Sequence, residues 1–314
     1  MNLLASMRYL VALEEHRHFG RAAQACHITQ PALSNALRAL ETEFGVVVVK
    51  RGRTYAGLTH EGEAVLAAAH RMLRENELLQ QLLKSEEGYP RGSLRMAAVP
   101  TAIPLLARFA AQLQARHPGI APTVLSMSSL ELETGLENLS LDIALGYTER
   151  MQPREVKLTA WPQSIEHYFL LRRAEGGGAG PLRIGEPIGW AQAAGLPLCL
   201  LTPEMHNRSI VDQAFKAAGA VVAPAIETNS VLTLALSVLS GQVCAVLPGA
   251  MVDAVRGQGQ LEALPLVGPE VRTPIGFMTQ TAVRPSRALE AALALLQSPG
   301  WQAEVAAHSG ALRG

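Results

Sequence analysis

Residues 19–51 read FGRAAQACHITQPALSNALRALETEFGVVVVKR. Ala22, Ala23 and Ala25 predict a short helix whose small side chains let another helix approach closely, ending near Cys26 and His27. Thr29 then stands as an N-cap, with Pro31 in the first turn where its missing N–H costs nothing. Along the helix so opened, Leu33, Ala36, Leu37 and Leu40 share the inward side. Gln30, Ser34 and Arg38, at i, i+4 and i+8, share the other, with Asn35 beside them. A short helix, a tight turn at His27 and Ile28, and a second helix with a polar stripe form a helix-turn-helix, whose second helix enters the major groove of DNA. Arg38 suits guanine or phosphate, and Gln30 and Asn35 can pair bidentately with adenine. Taken alone, each of these features reads first as a solvated helix face.

Working outward, Met7, Leu10, Val11 and Leu13 recur at helical spacing and predict a helix from Met7 to about Arg17, interrupted by Phe19 and Gly20. Downstream, Val46–Val49 is a β-branched run. Lys50, Arg51, Gly52 and Arg53 follow it before Leu58, so a strand, a basic tip and a return strand are expected to form a wing whose cations touch phosphate. The whole chain of 314 residues has zero net charge, but residues 1–60 carry seven Lys and Arg against four Glu, a net of +3 that leaves −3 elsewhere. The expected DNA contacts are Arg21, Thr29, Gln30, Pro31, Ser34, Asn35, Arg38, Lys50, Arg51 and Arg53.

The segment 19–51, followed by GLTHEGEAVL at 57–66, resembles the LysR-type transcriptional regulators, and the likeness continues in order over nearly the whole chain. It departs at Val48 and Val49, where the family usually has Leu-Phe. The resemblance implies a DNA-binding regulator with an N-terminal winged helix-turn-helix, a long linker helix and a periplasmic-binding-protein-like effector domain of two Rossmann-like lobes. The expected boundaries are 1–58 for the DNA-binding domain, 59–87 for the linker helix and 88–92 for the hinge. Lobe I takes 93–163 with 272–300, lobe II 164–268, and 301–314 is a tail.

From His60 to about Ser85 the chain is helix-forming behind Thr59, with Val65, Ala69, Met72, Asn76, Leu79 and Leu83 spaced alternately by four and three. That is a coiled-coil seam with a polar residue at an a-like position, which commonly fixes register. Either this helix pairs two copies of the chain or it packs on its own effector domain. The resemblance implies the former, a homodimer whose effector domains then join dimers into a homotetramer.

Beyond Gly92, runs at Leu94–Val99, Thr123–Met127, Asp142–Gly146, Leu198–Leu201 and Val243–Leu247 alternate with helical stretches, an α/β layout expected to have parallel sheets. The resemblance has the chain crossing between lobes near Gln163–His167 and Gly268–Thr273. Ligands of open α/β sheets sit beyond strand C-termini, where helix N-termini offer free N–H groups. This selects Thr101, Ser128, Ser129 and Tyr147 in lobe I, and His206, Asn207, Arg208, Asn229 and Ser230 in lobe II. The Ser and Thr residues are helix caps in any case. His206 is either a contact or solvated, and Tyr147 either a contact or core. Arg208 offers a bidentate fork to a carboxylate and so implies a small carboxylate effector. The stretches LPLCLLTPEMHNRSIVDQAF (196–215) and TNSVLTLALS (228–237) look most like the branch associated with formate dehydrogenase operons, which would make the effector formate or a similarly small carboxylate.

Other classes are constrained. Cys26, Cys199 and Cys244 lie far apart without CxxC spacing, so reduced thiols and no metal are expected. An enzyme using the same cleft would need a constellation, but there is no GxSxG, no HExxH, and GGGAG at 176–180 lacks a following Lys. A solute-binding protein of this architecture would need export, whereas no apolar run approaches the roughly 20 residues of a membrane span and the N-terminus reads as a DNA-binding head. A cytoplasmic, cofactor-free, non-enzymatic regulator is therefore expected. Its partners would be operator DNA, a small effector and RNA polymerase, with no membrane.

Overall fold

The computed structural model describes residues 2–50, 52, 54–84, 90–151, 158–176, 178, 180–281 and 285–308. The chain forms two units whose main boundary falls between residues 87 and 88.

The first unit contains α1 (Leu3–His16), α2 (Phe19–Ala25), α3 (Gln30–Phe44) and α4 (His60–Lys84). Local chemistry sets each end. Asn2 accepts from the Ala5 amide, His18 from Gly20 and Arg21, and Thr29 from Ala32. Arg17, His27 and Gly45 adopt positive φ and end α1, the α2–α3 turn and α3. Helix α1 begins four residues before the expected Met7, because Asn2 supplies a cap that the apolar spacing does not reveal. Met7, Leu10, Leu13, Ala22, Leu33, Leu37 and Leu40 bury against one another and against Val48, Leu58, Leu66 and Ala69. Each fully buried large aliphatic contributes about 1.5–3 kcal/mol.

Among the described residues the wing shows one antiparallel bridge, between Val49 and Leu58, flanked by Lys50 N–H donating to Gly57 and Thr59 N–H donating to Val48. The Glu41 carboxylate accepts from the amides of Val48 (2.8 Å) and Val49 (3.1 Å), so a side chain satisfies groups that a longer ladder would use. Val48, where the family usually has Leu, is fully buried. Helix α4 starts behind Thr59, whose hydroxyl accepts from Gly62 N–H, and a Cβ on Gly62 would lie 2.1 Å from the Val48 carbonyl. Only glycine permits this approach. Leu66 and Ala69 belong to the head's core and Val65 packs against it, while Met72 and Leu79 are exposed. The seam expected from Val65 onward is thus spent within the chain over its first turns, because α4 packs on α1 there.

In the second unit, lobe I comprises β1 (Gly92–Ala98), α5 (Ile103–Arg116), β2 (Ile120–Ser126), α6 (Ser129–Glu137), β3 (Ile143–Tyr147) and β4 (Leu158–Glu166). Lobe II follows with β5 (Tyr168–Arg173), β6 (Arg183–Ile184), β7 (Ile188–Gly189), α7 (Trp190–Ala193), β8 (Leu198–Leu201), α8 (His206–Ala217), β9 (Ile226–Thr228), α9 (Val231–Ser240), β10 (Cys244–Pro248), α10 (Gly249–Ala254) and β11 (Leu261–Val267). The chain then returns to lobe I as β12 (Thr273–Gln280), α11 (Arg287–Leu296) and α12 (Pro299–His308). Lobe I has strand order β2-β1-β3-β12-β4 and lobe II β6-β11-β5-β10-β8-β9, with β7 paired to β11.

The sheets are mixed, correcting the expected parallel ones. β1 pairs in parallel with β2 and β3, and β8 with β9 and β10, but β12 runs antiparallel to β3 and β4, and β5 antiparallel to β10 and β11. The antiparallel strands are those that carry the chain between lobes. Three expected boundaries also shift. Ser164–Glu166 pair with β12 and belong to lobe I's sheet, so the first crossing is at His167. Gly92, assigned to the hinge, already pairs with Ile120, while hinge residue Gly88 lies outside the described residues. The segment expected to begin a tail at 301 is helical to His308, since Trp301 is fully buried with its ring 5.0 Å from Phe109 and 6.4 Å from Phe277, and its indole N–H donates to Gln163. Residues 309–314 lie outside the described residues.

Candidate functional site

In the first unit, α3 buries Leu33, Leu37 and Leu40 and exposes Gln30, Asn35 and Arg38, with Ser34 half-buried between them. From Gln30 to Arg38 is eight residues, about 12 Å of helix, which matches the roughly 12 Å width of the B-DNA major groove. Thr29 and Pro31 are exposed in the first turn, Thr29 serving as cap. Arg21 is exposed with its guanidinium donating to the His16 carbonyl at 3.0 Å, a contact that aims it along the α1–α2 corner. Lys50 is exposed on the wing, while Arg51 and Arg53 lie outside the described residues.

In the second unit, a cleft between the lobes is lined by Val99, Pro100, Thr101, Ser128, Ser129 and Tyr147 from lobe I and by Leu201, Met205, His206 and Asn207 from lobe II. Six of the nine sequence-selected residues meet here. The cleft is narrow and partly open to solvent, with room in this conformation for about one water-sized molecule.

The polar floor is a connected network. Thr101 and Tyr147 share a hydrogen bond of 3.1 Å, and the Asn207 amide donates to the hydroxyls of Tyr147 (3.2 Å) and Tyr168 (3.1 Å). The Thr273 hydroxyl donates to Tyr168 at 3.4 Å. Beside the tyrosines lies Glu166, fully buried, with one carboxyl oxygen lacking a hydrogen-bond partner among the described residues. Burial pushes its pKa up to about 8. Burial and the neighbouring Glu166 push the Tyr147 hydroxyl well above the ordinary tyrosine range.

The walls offer donors. Ser128 caps α6 in a capping box, its hydroxyl accepting from the Glu131 amide while its own amide donates to the Glu131 carboxylate. Ser129 beside it is buried, and its hydroxyl has no hydrogen-bond partner among the described residues. Helix α8 opens at the opposite wall without a side-chain cap. His206 packs edge-on to Tyr147 with centroids 4.9 Å apart. Its Nδ1 lies 3.3 Å from Arg150, whose Nε donates to Glu133 at 3.0 Å. Burial, then the Arg150 charge, push the His206 pKa below the ordinary histidine value.

Three expected effector contacts lie elsewhere. Arg208 points to the β8–β9 side: Nε donates to Asp212 (2.8 Å), and Nη1 to the Leu201 carbonyl (2.7 Å) and Glu227 (2.6 Å). With its fork already occupied it does not line the cleft. Ser230 caps α9 through Thr233, and Asn229 is exposed; neither lines the cleft. Sequence reasoning missed Arg150, Glu166, Tyr168 and Thr273. Arg150 lies three residues beyond Tyr147, within reach of the after-strand rule, and Glu166 was visible as a lone carboxyl in QSIEHYFLL (163–171). Among the described residues no group of His, Cys, Asp and Glu side chains is arranged to hold a metal, and no helix is long and apolar enough to cross a membrane.

Residues 4–63 match the family model for the bacterial regulatory helix-turn-helix protein, lysR family, and residues 87–299 match the LysR substrate binding domain. The chain belongs to the LysR-type transcriptional regulators. It is 29% identical over 284 residues to the DNA-binding transcriptional dual regulator OxyR of Escherichia coli K12, covering 88% of each chain. It is 28% identical over 268 residues to the probable HTH-type regulator LrrA of Synechococcus elongatus, covering 84% of this chain and 86% of that one. Among solved structures, a full-length OxyR variant from Pseudomonas aeruginosa superposes with a TM-score of 0.67 at 25% identity, covering 92% of this chain and 95% of that one. CbnR complexed with its target DNA gives 0.65 at 20% identity over 93% and 97%, a likeness of fold alone. The LysR-type chain is thus a DNA-binding transcriptional regulator, with a helix-turn-helix head and a two-lobed effector-binding domain. The formate-operon branch suggested by residues 196–237 is not what these relatives represent, and formate enters below only as a proposal.

Proposed function

We propose that this LysR-type regulator is switched by a small carboxylate, formate or one of similar size, bound in the cleft between Ser129 and His206. The observation that carries this reading is the buried, unpartnered Ser129 hydroxyl in a small cleft walled by the N-terminal ends of α6 and α8. Helix N-termini favour anions through their unpaired N–H groups and the helix dipole. A cleft with room for about one water-sized molecule in this conformation favours a guest of only a few heavy atoms. Bound across both lobes, the anion shifts the lobe equilibrium by its differential affinity, and through it the spacing of paired DNA heads.

Paired heads require a dimer. The exposed Met72 and Leu79 on α4 support one through the linker helix. Exposed apolar residues in each lobe, Val124 and Leu130 in one and Leu232 and Leu236 in the other, support further pairing of effector domains into a tetramer.

The E. coli relatives suggest peroxide sensing as a second reading. Peroxide chemistry needs an accessible thiolate. Here Cys199 and Cys244 are buried and burial pushes both thiols up, while Cys26 sits in the head. Cys199 and Cys244 also pack into different cores on opposite faces of one sheet, so they cannot close a disulfide within this fold.

The test is thermal unfolding of the full chain with sodium formate and sodium acetate at constant ionic strength, alongside formamide and acetamide. A ligand at one hundred times its Kd stabilises by about 2.7 kcal/mol. A rise with the anions and none with the amides is expected. Equal response to both, or to neither, defeats the anion reading.

A further inference from the structure

Among the described residues, the cleft's lining contains no permanently charged cation: its polar residues are Thr101, Ser128, Ser129, Tyr147, His206 and Asn207. Hydroxyls and helix N-termini supply partial charges, whereas taking a carboxylate out of water calls for a full counter-charge or several directed donors. Arg208, the obvious candidate, is consumed by Asp212, Glu227 and the Leu201 carbonyl. Among the described residues, the cation that touches the cleft's lining is Arg150, through His206.

Arg150 sits on the short turn Thr148–Met151 immediately after β3, three residues from the cleft residue Tyr147. Its guanidinium is held between both walls. Nε donates to Glu133 on α6, the helix that begins at Ser129, and Nη1 lies 3.3 Å from Nδ1 of His206, the first residue of α8. An arginine has only donors, so His206 accepts through a lone pair on Nδ1 and carries its proton on Nε2. Two of five guanidinium N–H groups are used in this way. The side chain remains 33% exposed. One of its partners, the imidazole, is neutral and therefore the weaker of the two, since hydrogen bonds to ionised acceptors are roughly twice as strong.

We infer that Arg150 is the effector's counter-ion: an incoming carboxylate displaces His206 from the guanidinium and then bridges Arg150 of lobe I to the N-terminus of α8 in lobe II. This rests on the anion reading above and deepens it. It makes Arg150 the residue that distinguishes an anion from its neutral isostere, and Glu133 the competitor that tunes affinity. Exchange of an inter-lobe hydrogen bond for a ligand bridge also gives the effector a contact that depends on lobe position.

The two roles predict opposite signs. In the full chain, with formate and acetate as probes and Kd read from calorimetric titration at fixed ionic strength, Arg150→Met raises Kd at least tenfold. Arg150→Lys recovers part of the loss. Glu133→Gln, which removes the competing charge and keeps the shape, lowers Kd several-fold. A merely structural ion pair would make Arg150→Met and Glu133→Gln weaken binding alike, and that result overturns the inference, as does a wild-type Kd in Arg150→Met. In both cases wild-type binding still stands and the anion reading survives. If the wild-type chain binds neither anion, that reading fails and this inference with it.

Discussion

Replacing Glu166 by glutamine isolates the cost of a carboxyl buried at the crossing between lobes. In the folded chain the group titrates near 8, raised by burial from an ordinary value of 4.5. Below 4.5 both folded and unfolded chains hold the proton, so there is no penalty. Between 4.5 and 8 the unfolded chain releases a proton that the native chain keeps, so native stability falls as pH rises. Above 8 both are ionised and the loss levels off. At about 1.4 kcal/mol per pH unit, the wild type loses about 3 kcal/mol from this group between pH 5 and pH 8. Glutamine has no proton to lose and nearly the same volume. It also inherits the same unpartnered position, so the fixed desolvation cost largely cancels. At roughly 2–4 °C per kcal/mol for a domain of this size, the variant should melt roughly 6–12 °C above wild type at pH 8 and within a few degrees of it at pH 5. The chain's three tryptophans, Trp161, Trp190 and Trp301, all lie in the effector domain, so their emission reports this unfolding transition alone. Parallel pH profiles for the two proteins would refute the argument.

Arg38→Ala should weaken operator binding by about 1–3 kcal/mol per head and flatten its salt dependence, while the thermal response to carboxylates is retained; unchanged affinity in a gel-shift titration would remove Arg38 from the interface. Trp301→Ala should cost about 3–5 kcal/mol by urea unfolding of the effector domain, because the ring is fully buried against Phe109 and Phe277. A loss under about 1 kcal/mol would return residues beyond 300 to the status of a tail. Leu79→Glu should convert dimers to monomers in sedimentation velocity at micromolar concentration, since Leu79 is 55% exposed on α4 in the single chain. Persistence of the dimer would place the contact elsewhere.

The head was legible because its determinants are local. Thr29, Pro31, and the spacing of Leu33, Leu37 and Leu40 specify a helix and its buried side within fifteen residues, and the structure forms that helix from Gln30 to Phe44. The wing was legible only in outline. Its first strand is tied down by Glu41, seven and eight residues away on α3, whose carboxylate takes the Val48 and Val49 amides. Apolar patterning carries no record of such a side-chain acceptor. The linker seam failed over its first turns for a related reason: a helix face read as a partner surface is also a surface for its own domain, and α1 reaches Leu66 and Ala69 first.

In the cleft, the rule that ligands gather after strands found both walls but misjudged Arg208. Successive residues on a helix turn by about 100°, so a residue two positions past the cleft-lining His206 faces the sheet. Asp212, its i+4 partner, was readable as an ion-pair neighbour in the sequence, while Glu227, which arrives from β9, was not. The floor was least legible because no single segment contains it. Glu166 and Thr273 are ladder partners at the ends of the two strands that join the lobes, Tyr168 opens the next strand, and Asn207 arrives from α8. The hydrogen bonds Thr101–Tyr147–Asn207–Tyr168–Thr273 run through both lobes, so rotating one lobe against the other must break or stretch at least one of them at a net cost of about 1 kcal/mol each. Such a chain favours one inter-lobe angle over its neighbours. An effector changes that angle only if its contacts with Arg150 and the α8 terminus differ between the two arrangements by more than the floor loses, which makes the floor the threshold the effector has to exceed.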